Sequence, residues 1–288
     1  MANTIAIKRR ITSVRNTRQI TKAMELVSAS KMRRAQEAAQ ASRAYKNLAQ
    51  SILRRLGETT DVSIHPLFKK HHKVMTKLYV VITGDRGLSG AYNGSVLRRL
   101  VQELAQDQSR QRTSQCIAVG KRGAQYIARL DAVELLSAYE QLPDKPTATD
   151  IQPVLDQVCD LYRRQVVDQV VIIYTDYKSS VVQEVTAQTL LPAVVAQSKA
   201  VDAGATLFEP TPAAVLEMAA TRLIEVQLWQ ALLESKASEF SMSMMAMKSA
   251  SDNATDIIDD LTLAYNTARQ AAITQELAEI TGGAEALQ

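Results

Sequence analysis

Glycine and proline are scarce in this chain of 288 residues, at 10 and 7, and they are wholly missing from two long stretches, 3–56 and 213–281. With no breaker, each stretch reads as one helix, and the second would reach roughly 100 Å at the ~1.5 Å rise per residue of an α-helix. Globular helices seldom exceed about 25 residues, so neither stretch belongs to an ordinary compact domain. Aromatics make up only 5% of the residues, which favours narrow helix–helix seams over one bulky core. Cysteine is limited to Cys116 and Cys159. Two thiols so far apart supply neither a disulfide framework nor a zinc site, and read as reduced and buried. Apolar runs are short, as at Val170–Tyr174, far below the ~20 residues of a membrane span. No charged-then-apolar leader opens the chain; Ile5, Ile7, Ile11 and Val14 already follow an amphipathic pattern, so the start reads as mature sequence.

What is present is a heptad seam. Alternating steps of three and four from Leu216 land on Ala219, Leu223, Val226, Gln230, Leu233, Ala237, Phe240, Met244, Met247, Ser251, Ala254, Ile258, Leu261, Tyr265, Ala268 and Ala272, with only Gln230 and Ser251 polar. A 3.5-residue repeat keeps one stripe turned toward a partner helix. The first stretch offers Ala35, Ala38, Ser42, Tyr45, Ala49, Ile52 and Leu56. Extended backwards, the same frame gives Lys31, Ser28, Met24, Thr21, Thr17, Val14, Arg10 and Ile7, a mixed set that predicts contact with something outside the pair.

Between the helices the period changes. Leu78–Ile82, Cys116–Val119 and Val170–Tyr174 read as buried strands, and Val185–Leu191, closed by Pro192, as an edge strand. Helices are predicted from Val96 to Gln106 with Ser95 as cap, from Gly123 to Leu130, and from a Thr149 or Asp150 cap to Val166. This alternation predicts an α/β domain with a mainly parallel, Rossmann-like sheet, inserted between the two long helices. The divisions expected are 1–57 for the first helix, 74–207 for the α/β domain and 211–288 for the last helix and tip. Pro210, Thr211 and Pro212 supply a stop, a cap and a first-turn proline, and Gly282 and Gly283 a stop at the far end. A compact insert forces the helices to return antiparallel, with position i facing 272 − i and about seventeen final residues projecting unpaired.

Charge is divided along the chain. Residues 1–56 carry 13 Lys/Arg against 2 Asp/Glu, 57–207 carry 17 against 16, and 208–288 carry 4 against 12. Either the two ends pair with each other, or each meets a different protein surface. Lys8, Arg9, Arg10, Arg15 and Arg18 lack interleaved aromatics, which argues against nucleic acid and for an acidic protein surface. Gly84–Gly90 is neither GxGxxG nor GxxxxGK[ST], so it reads as a strand-to-helix turn. His65, His71 and His72 lie among Lys69, Lys70 and Lys73 and read as a solvated loop, since those lysines oppose a metal ion. Met244 and Met247 fall in the seam, whereas Met242 and Met245 fall outside it and are interface candidates.

The two ends resemble the gamma subunit of F-type ATP synthase, in its bacterial form. The opening Ile7-Lys-Arg-Arg-Ile-Thr-Ser-Val-Arg-Asn-Thr-Arg-Gln-Ile-Thr-Lys-Ala-Met24, with its continuation to Gln36, is similar to the family's N-terminal signature. Ala246–Ala254 and Tyr265–Gly283 are similar to its C-terminal one, and Thr83-Gly-Asp-Arg-Gly-Leu-Ser-Gly-Ala-Tyr-Asn93 also matches. The resemblance implies a central rotary stalk: a helix pair inside the ring of alpha and beta subunits, and an α/β domain contacting the epsilon subunit and the c-subunit ring. It implies a non-catalytic subunit with no cofactor and no metal, a peripheral place on the cytoplasmic face of the bacterial membrane, and membrane association only through partners. By motif match Met24, Arg269, Gln270 and Thr274 would meet the beta subunits. An arginine usual in the family is replaced here by Ser243, and the cysteine-bearing insertion of the chloroplast form is missing. A coiled-coil adaptor or chaperone is the alternative reading of the same helices.

Overall fold

A computed structural model describes residues 2–59, 65–69, 71, 73–193, 209 and 211–285. Ten elements follow in order: α1 (Ala2–Thr59), β1 (Thr76–Ile82), α2 (Tyr92–Ser109), β2 (Thr113–Val119), α3 (Lys121–Ile127), β3 (Glu134–Tyr139), α4 (Ala148–Arg163), β4 (Gln169–Tyr177), β5 (Gln183–Leu191) and α5 (Pro212–Glu285). They fall into two compact units, Ala29–Met242 and the pair Met1–Ser28 with Ser243–Gln288.

In the larger unit, five strands form one sheet in the order β3-β2-β1-β4-β5. β1 runs parallel to β2 and β4, and β2 parallel to β3. Only β5 is antiparallel, returning from β4 through a short turn. β1 is buried over six of its seven residues, as expected of a central parallel strand covered on both faces. On one face, Leu78, Val80, Ile82, Ile117, Val170 and Ile172 pack with α4 and with Leu216, Ala220, Leu223, Ile224, Leu228, Ala231 and Leu232 of α5. On the other, Tyr79, Val81, Cys116, Ala118 and Ile173 meet α2 and α3. The long helix α5 is therefore one layer of the α/β domain as well as half of the seam.

The mainly parallel sheet and its edge strand agree with the sequence reading, and three details differ. β3 was not expected, because Glu134–Tyr139 is only partly buried and its apolar signal is thin. Ser95 is no cap: α2 begins at Tyr92, and the Ser95 amide already donates to the Ala91 carbonyl at 2.9 Å. The cap of α4 is Thr147, two residues before Thr149, in a reciprocal box with Asp150, whose carboxylate accepts from the Thr147 amide at 2.7 Å. That bond and the Thr147 hydroxyl hold the exposed Asp150 carboxyl below its usual range. At the start of α5, Thr211 caps as expected, its hydroxyl accepting from the Ala214 amide at 3.2 Å; Pro210 lies outside the described residues.

The seam of this unit has the register derived from sequence. Gln230 faces Ser42, and 230 and 42 sum to 272. The two side chains are hydrogen-bonded, and Gln230 also donates to the Ala39 carbonyl at 3.3 Å and to Glu234 at 2.6 Å. Lys31 stands 5.6 Å from the centre of the Phe240 ring. The α1 frame needs correction at every second position. Ile11, Met32 and Ala39 are buried, while Arg10, Thr17 and Met24 are exposed and Lys31 and Ala38 half-buried. The true stripe is Ile7, Ile11, Val14, Thr21, Glu25, Ser28, Met32, Ala35, Ala39 and Ser42. Tyr45 and Ile52, expected in the seam, are exposed.

In the smaller unit, Met247, Ser251, Ala254 and Ile258 are buried, and Leu261, Tyr265, Ala268 and Ala272 half-buried, as the heptads require. From Ile273 to Gly282 every residue is exposed. The helix runs through Gly282 and Gly283 to Glu285, so these glycines do not stop it.

Candidate partner interface on the long helices

With one stripe of each helix turned inward, the remaining faces are what a partner meets. Arg9 and Arg10 are exposed, as are Lys8, Arg15 and Arg18. So are Asp252, Asp256, Asp259 and Asp260 on α5. Among the described residues, ion pairs made by the long helices stay within a helix, as Lys22–Glu25 at 2.9 Å and Arg222–Glu225 at 2.6 Å, or reach the α/β domain, as Lys31–Asp144 at 2.6 Å. The basic and acidic faces both point to solvent, which favours separate protein surfaces over pairing of the two ends.

Met24 is 37% exposed, and its neighbours one turn away, Ile20 and Val27, are 61% and 55% exposed. Three apolar side chains at i, i+4 and i+7 on one helix face form a stripe that the seam does not use. Met245 is 42% exposed and Met247 buried, as their spacing predicts, while Met242 and Met244 are both half-buried and are not told apart. Arg269, Gln270 and Thr274 are exposed. The candidates do not form one patch. Along α5, Met245 and Gln270 are 25 residues apart, about 37 Å at helical rise, and along α1 about 21 Å separates Arg10 from Met24. They are bands on a rod.

Ile273, Leu277 and Ile280, exposed at 48%, 58% and 68%, were missed by the sequence reading. Their signal was legible: apolar residues continue at i, i+4 and i+7 beyond Ala272.

Elsewhere the functional suspects resolve into structure. Gly84 donates its amide to Asn93 at 2.8 Å, and Asn93 turns its own amide to the Arg86 carbonyl and the Ser89 hydroxyl. Asp85 accepts from the amides of Lys121 and Gln141 at 2.9 and 3.1 Å. The Gly84, Lys121 and Gln141 amides are taken by the chain's own side chains, so Gly84–Gly90 acts as a turn that ties the ends of β1, β2 and β3 together. Leu88 and Gly90 take φ of 65° and 55° there. Arg86, Lys121 and Arg122 border an open cleft of about 380 Å³ beside this turn. Any Cβ on Gly84 would lie 2.5 Å from the Glu239 carboxylate of α5. Burial holds the Glu239 carboxyl above its usual range, with Asp85 and Asp144 adding to the rise and Lys236 opposing it.

The histidine loop is not simply solvated. His65 is buried; its Nε2 lies 2.7 Å from Glu217, itself paired with Arg163 at 2.6 Å, and its Nδ1 accepts from the Leu67 amide at 3.2 Å. The turn at Pro66 is the cause, because it drives Leu67 and Phe68 into the core. His71 faces Asp168 at 3.5 Å, while Lys70 and His72 lie outside the described residues. Among the described residues no three His, Cys, Asp or Glu side chains gather as a metal site. Burial pushes the Cys116 thiol up to about 12 and the Cys159 thiol up to about 11, which makes both poor nucleophiles.

This geometry matches known proteins. A family model described as ATP synthase covers residues 3–287. ATP synthase gamma chains from Xylella fastidiosa and Symbiobacterium thermophilum are 38% and 41% identical, over 100% and 99% of both chains; that of Halothermothrix orenii is 40% identical over 98% of both. Among solved structures, the central stalk and c-ring of Tetrahymena thermophila mitochondrial ATP synthase contains a chain 25% identical, with a TM-score of 0.61 over 81% of this chain and 99% of that one. The Euglena gracilis mitochondrial enzyme in rotational state 3 contains one 18% identical, with a TM-score of 0.69 over 99% and 95%, a likeness of fold. The chain belongs to the ATP synthase gamma chain family.

Proposed function

We propose that this chain is the central rotary stalk of an F-type ATP synthase, carrying torque between a proton-driven c-subunit ring and the catalytic ring of alpha and beta subunits. The observation that carries it is the course of α5: built into the α/β domain at its base, half-covered along its middle, and exposed from Ile273 to Gly282 while still helical. Such a helix reaches into something. The chain does no bond chemistry in this reading, which draws support from the self-satisfied turn at Gly84 and the two buried thiols.

Arg9 and Arg10 are proposed to meet acidic ring surface. Met24, Met242 and Met245 are proposed as adaptable apolar contacts, and Arg269, Gln270 and Thr274 as contacts to the beta subunits near the far end. The epsilon subunit and the c-ring would bind the α/β domain. The working parts proposed are 1–57, 74–207 and 211–288. No described helix is long and apolar enough to cross a membrane; the proposed place is the cytoplasmic face of a bacterial membrane, held there by partners.

Affinity purification of the chain from its own cells tests this. One copy should be recovered for every three alpha and three beta subunits. A coiled-coil adaptor would be recovered without a catalytic ring, and that result would end the stalk reading.

A further inference from the structure

Strand β4 outruns its neighbour. Its pairing with β1 ends at Val81 opposite Ile173, yet β4 continues to Tyr177, with β5 alone beside it. The backbone on the β1 side of Thr175 would therefore lie buried without a strand to bond, which proteins avoid. α5 fills the place. Ser235 Oγ accepts from the Thr175 amide at 3.2 Å, and Ser238 Oγ donates to the Thr175 carbonyl at 3.2 Å. One turn further, Ser241 Oγ donates to the Ser180 carbonyl at 2.8 Å and accepts from Gln183 Nε2 at 3.2 Å. The three serines recur at i, i+3 and i+6 on one face and are fully buried.

We propose that Ser235, Ser238 and Ser241 are the torsional key that locks the shaft helix to the sheet domain, so that twist applied to one is felt by the other without lag. The proposal rests on the stalk reading above. Much of the remaining contact between α5 and the domain is apolar, through Ala220, Ile224, Leu228, Ala231 and Leu232; its polar exceptions lie nearer the start of the helix, at Glu217 with His65 and Arg163 and at Trp229, whose indole donates to the Pro146 carbonyl at 3.1 Å. Apolar contact resists separation but is non-directional, so it opposes sliding and rolling weakly. Hydrogen bonds weaken steeply as their angles depart from linear. Four of them, made by three serines over about 9 Å of helix, oppose rotation about the helix axis and slip along it together. Serine is suited to this because it adds one carbon and one oxygen between two backbones, leaving no long side chain to flex. The opposite side of the same helix turn is closed by Gly84, whose missing side chain lets Glu239 pack against the end of β1.

A single-molecule rotation assay on the assembled complex tests the key. The exposed Gln108, changed to cysteine, carries a bead on the domain, both native thiols being buried. The quantity read is the angular variance of the bead while the motor pauses for ATP. The triple variant S235A/S238A/S241A should keep its pause angles and show at least a twofold larger variance. Ser114→Ala, which removes a buried hydroxyl bonded to Asp107 at 3.3 Å away from α5, should leave the variance unchanged. Equal variance in the triple variant and its parent overturns the key, and so does equal broadening by Ser114→Ala, which would trace the softness to general loosening. If the triple variant does not assemble, Ser235→Ala and Ser241→Ala singly should each broaden the distribution, and no change in either overturns the proposal. A parent complex whose bead never rotates refutes the stalk reading itself.

Discussion

Gln230 and Ser42 offer the sharpest test of how the two long helices are paired. Gln230 is 2% exposed in a mostly apolar seam. Its amide bonds the Ser42 hydroxyl, the Ala39 carbonyl and the Glu234 carboxylate. Truncation to alanine removes two neutral hydrogen bonds and one to a charged group, and opens a small void. At about 1 kcal/mol for each neutral bond and about 1.5–3 for the charge-assisted one, Gln230→Ala should cost about 4 kcal/mol. Ser42→Ala loses one neutral bond and should cost about 1 kcal/mol. In the double variant the shared bond is counted once, so the combined loss should fall short of the sum by about 1 kcal/mol. Thermal unfolding followed by circular dichroism reads this, at about 2–4 °C per kcal/mol for chains of this order. Strict additivity of the two losses would mean that positions 230 and 42 do not touch, and would remove the antiparallel register on which the projecting tip depends.

Glycine substitutions form a matched pair. Gly120 has φ of 106° and any Cβ there would lie 2.1 Å from the Thr83 carbonyl oxygen, whereas Gly94 sits inside α2 with open space around it. Gly120→Ala should lower stability by about 3 kcal/mol or more, and Gly94→Ala should raise it by about 0.5–1 kcal/mol; equal effects in melting experiments would contradict the geometry. Met24→Lys places a charge in an exposed apolar stripe, so stability should shift by no more than about 0.5 kcal/mol, while ATP-driven proton pumping per ATP hydrolysed should drop in the assembled complex. Parallel loss of stability and pumping would remove Met24 from the interface. Asp107 responds to acid: burial raises its carboxyl, but Lys77 at 2.8 Å, Tyr79 and Ser114 outweigh that and hold it below its usual range. A carboxyl lowered on folding contributes stability above its unfolded value, about 3.9, and loses it as pH falls through the folded value. Asp107→Asn should therefore be less stable than the parent at pH 7 and lose less of its stability between pH 5 and 3. An unchanged acid limb would show that Asp107 does not carry this dependence.

Much of this was written plainly in the chain, and what was missed has physical causes. The α5 stripe was legible over eight heptads because burial on that face tolerates few polar residues. The α1 stripe was not, since Arg10 and Ile11, or Lys31 and Met32, are adjacent choices for one seam position, and a basic, alanine-rich helix gives little contrast between them. A second stripe on α5, from Ala220 through Ile224, Leu228 and Ala231 to Ser235 and Ser238, went unread because it ends in serines. Polar residues look like surface until the backbone they satisfy is known. β3 was hidden for a related reason, since an edge strand with one covered face needs only a weak apolar signal. Of the residues proposed for the interface, Arg9, Arg10, Met24, Met245, Arg269, Gln270 and Thr274 are exposed. Sequence spacing could assign Met242 and Met245 away from the seam but could not say that Met242 is half-covered.

Burial along α5 changes in steps that suit a shaft driven from one end. From Gln230 to Ser241 every residue is buried; from Met247 to Ala272 coverage narrows to one stripe; from Ile273 to Gly282 every residue is exposed. Anchoring by apolar contact grows with the area removed from water, so resistance to local opening falls from base to tip. Load enters where the helix is surrounded on every side, and the tip is left to be guided by its surroundings. The charges add what stiffness cannot. Lys8, Arg9, Arg10, Arg15 and Arg18 make the outer face of α1 basic, while Asp252, Asp256, Asp259 and Asp260 make that of α5 acidic. A rod of uniform charge would meet every subunit of a surrounding ring with the same energy, and equal affinity for all states shifts no equilibrium. One with unlike faces stabilises a different state in each subunit it turns toward, and its rotation becomes a sequence of binding changes.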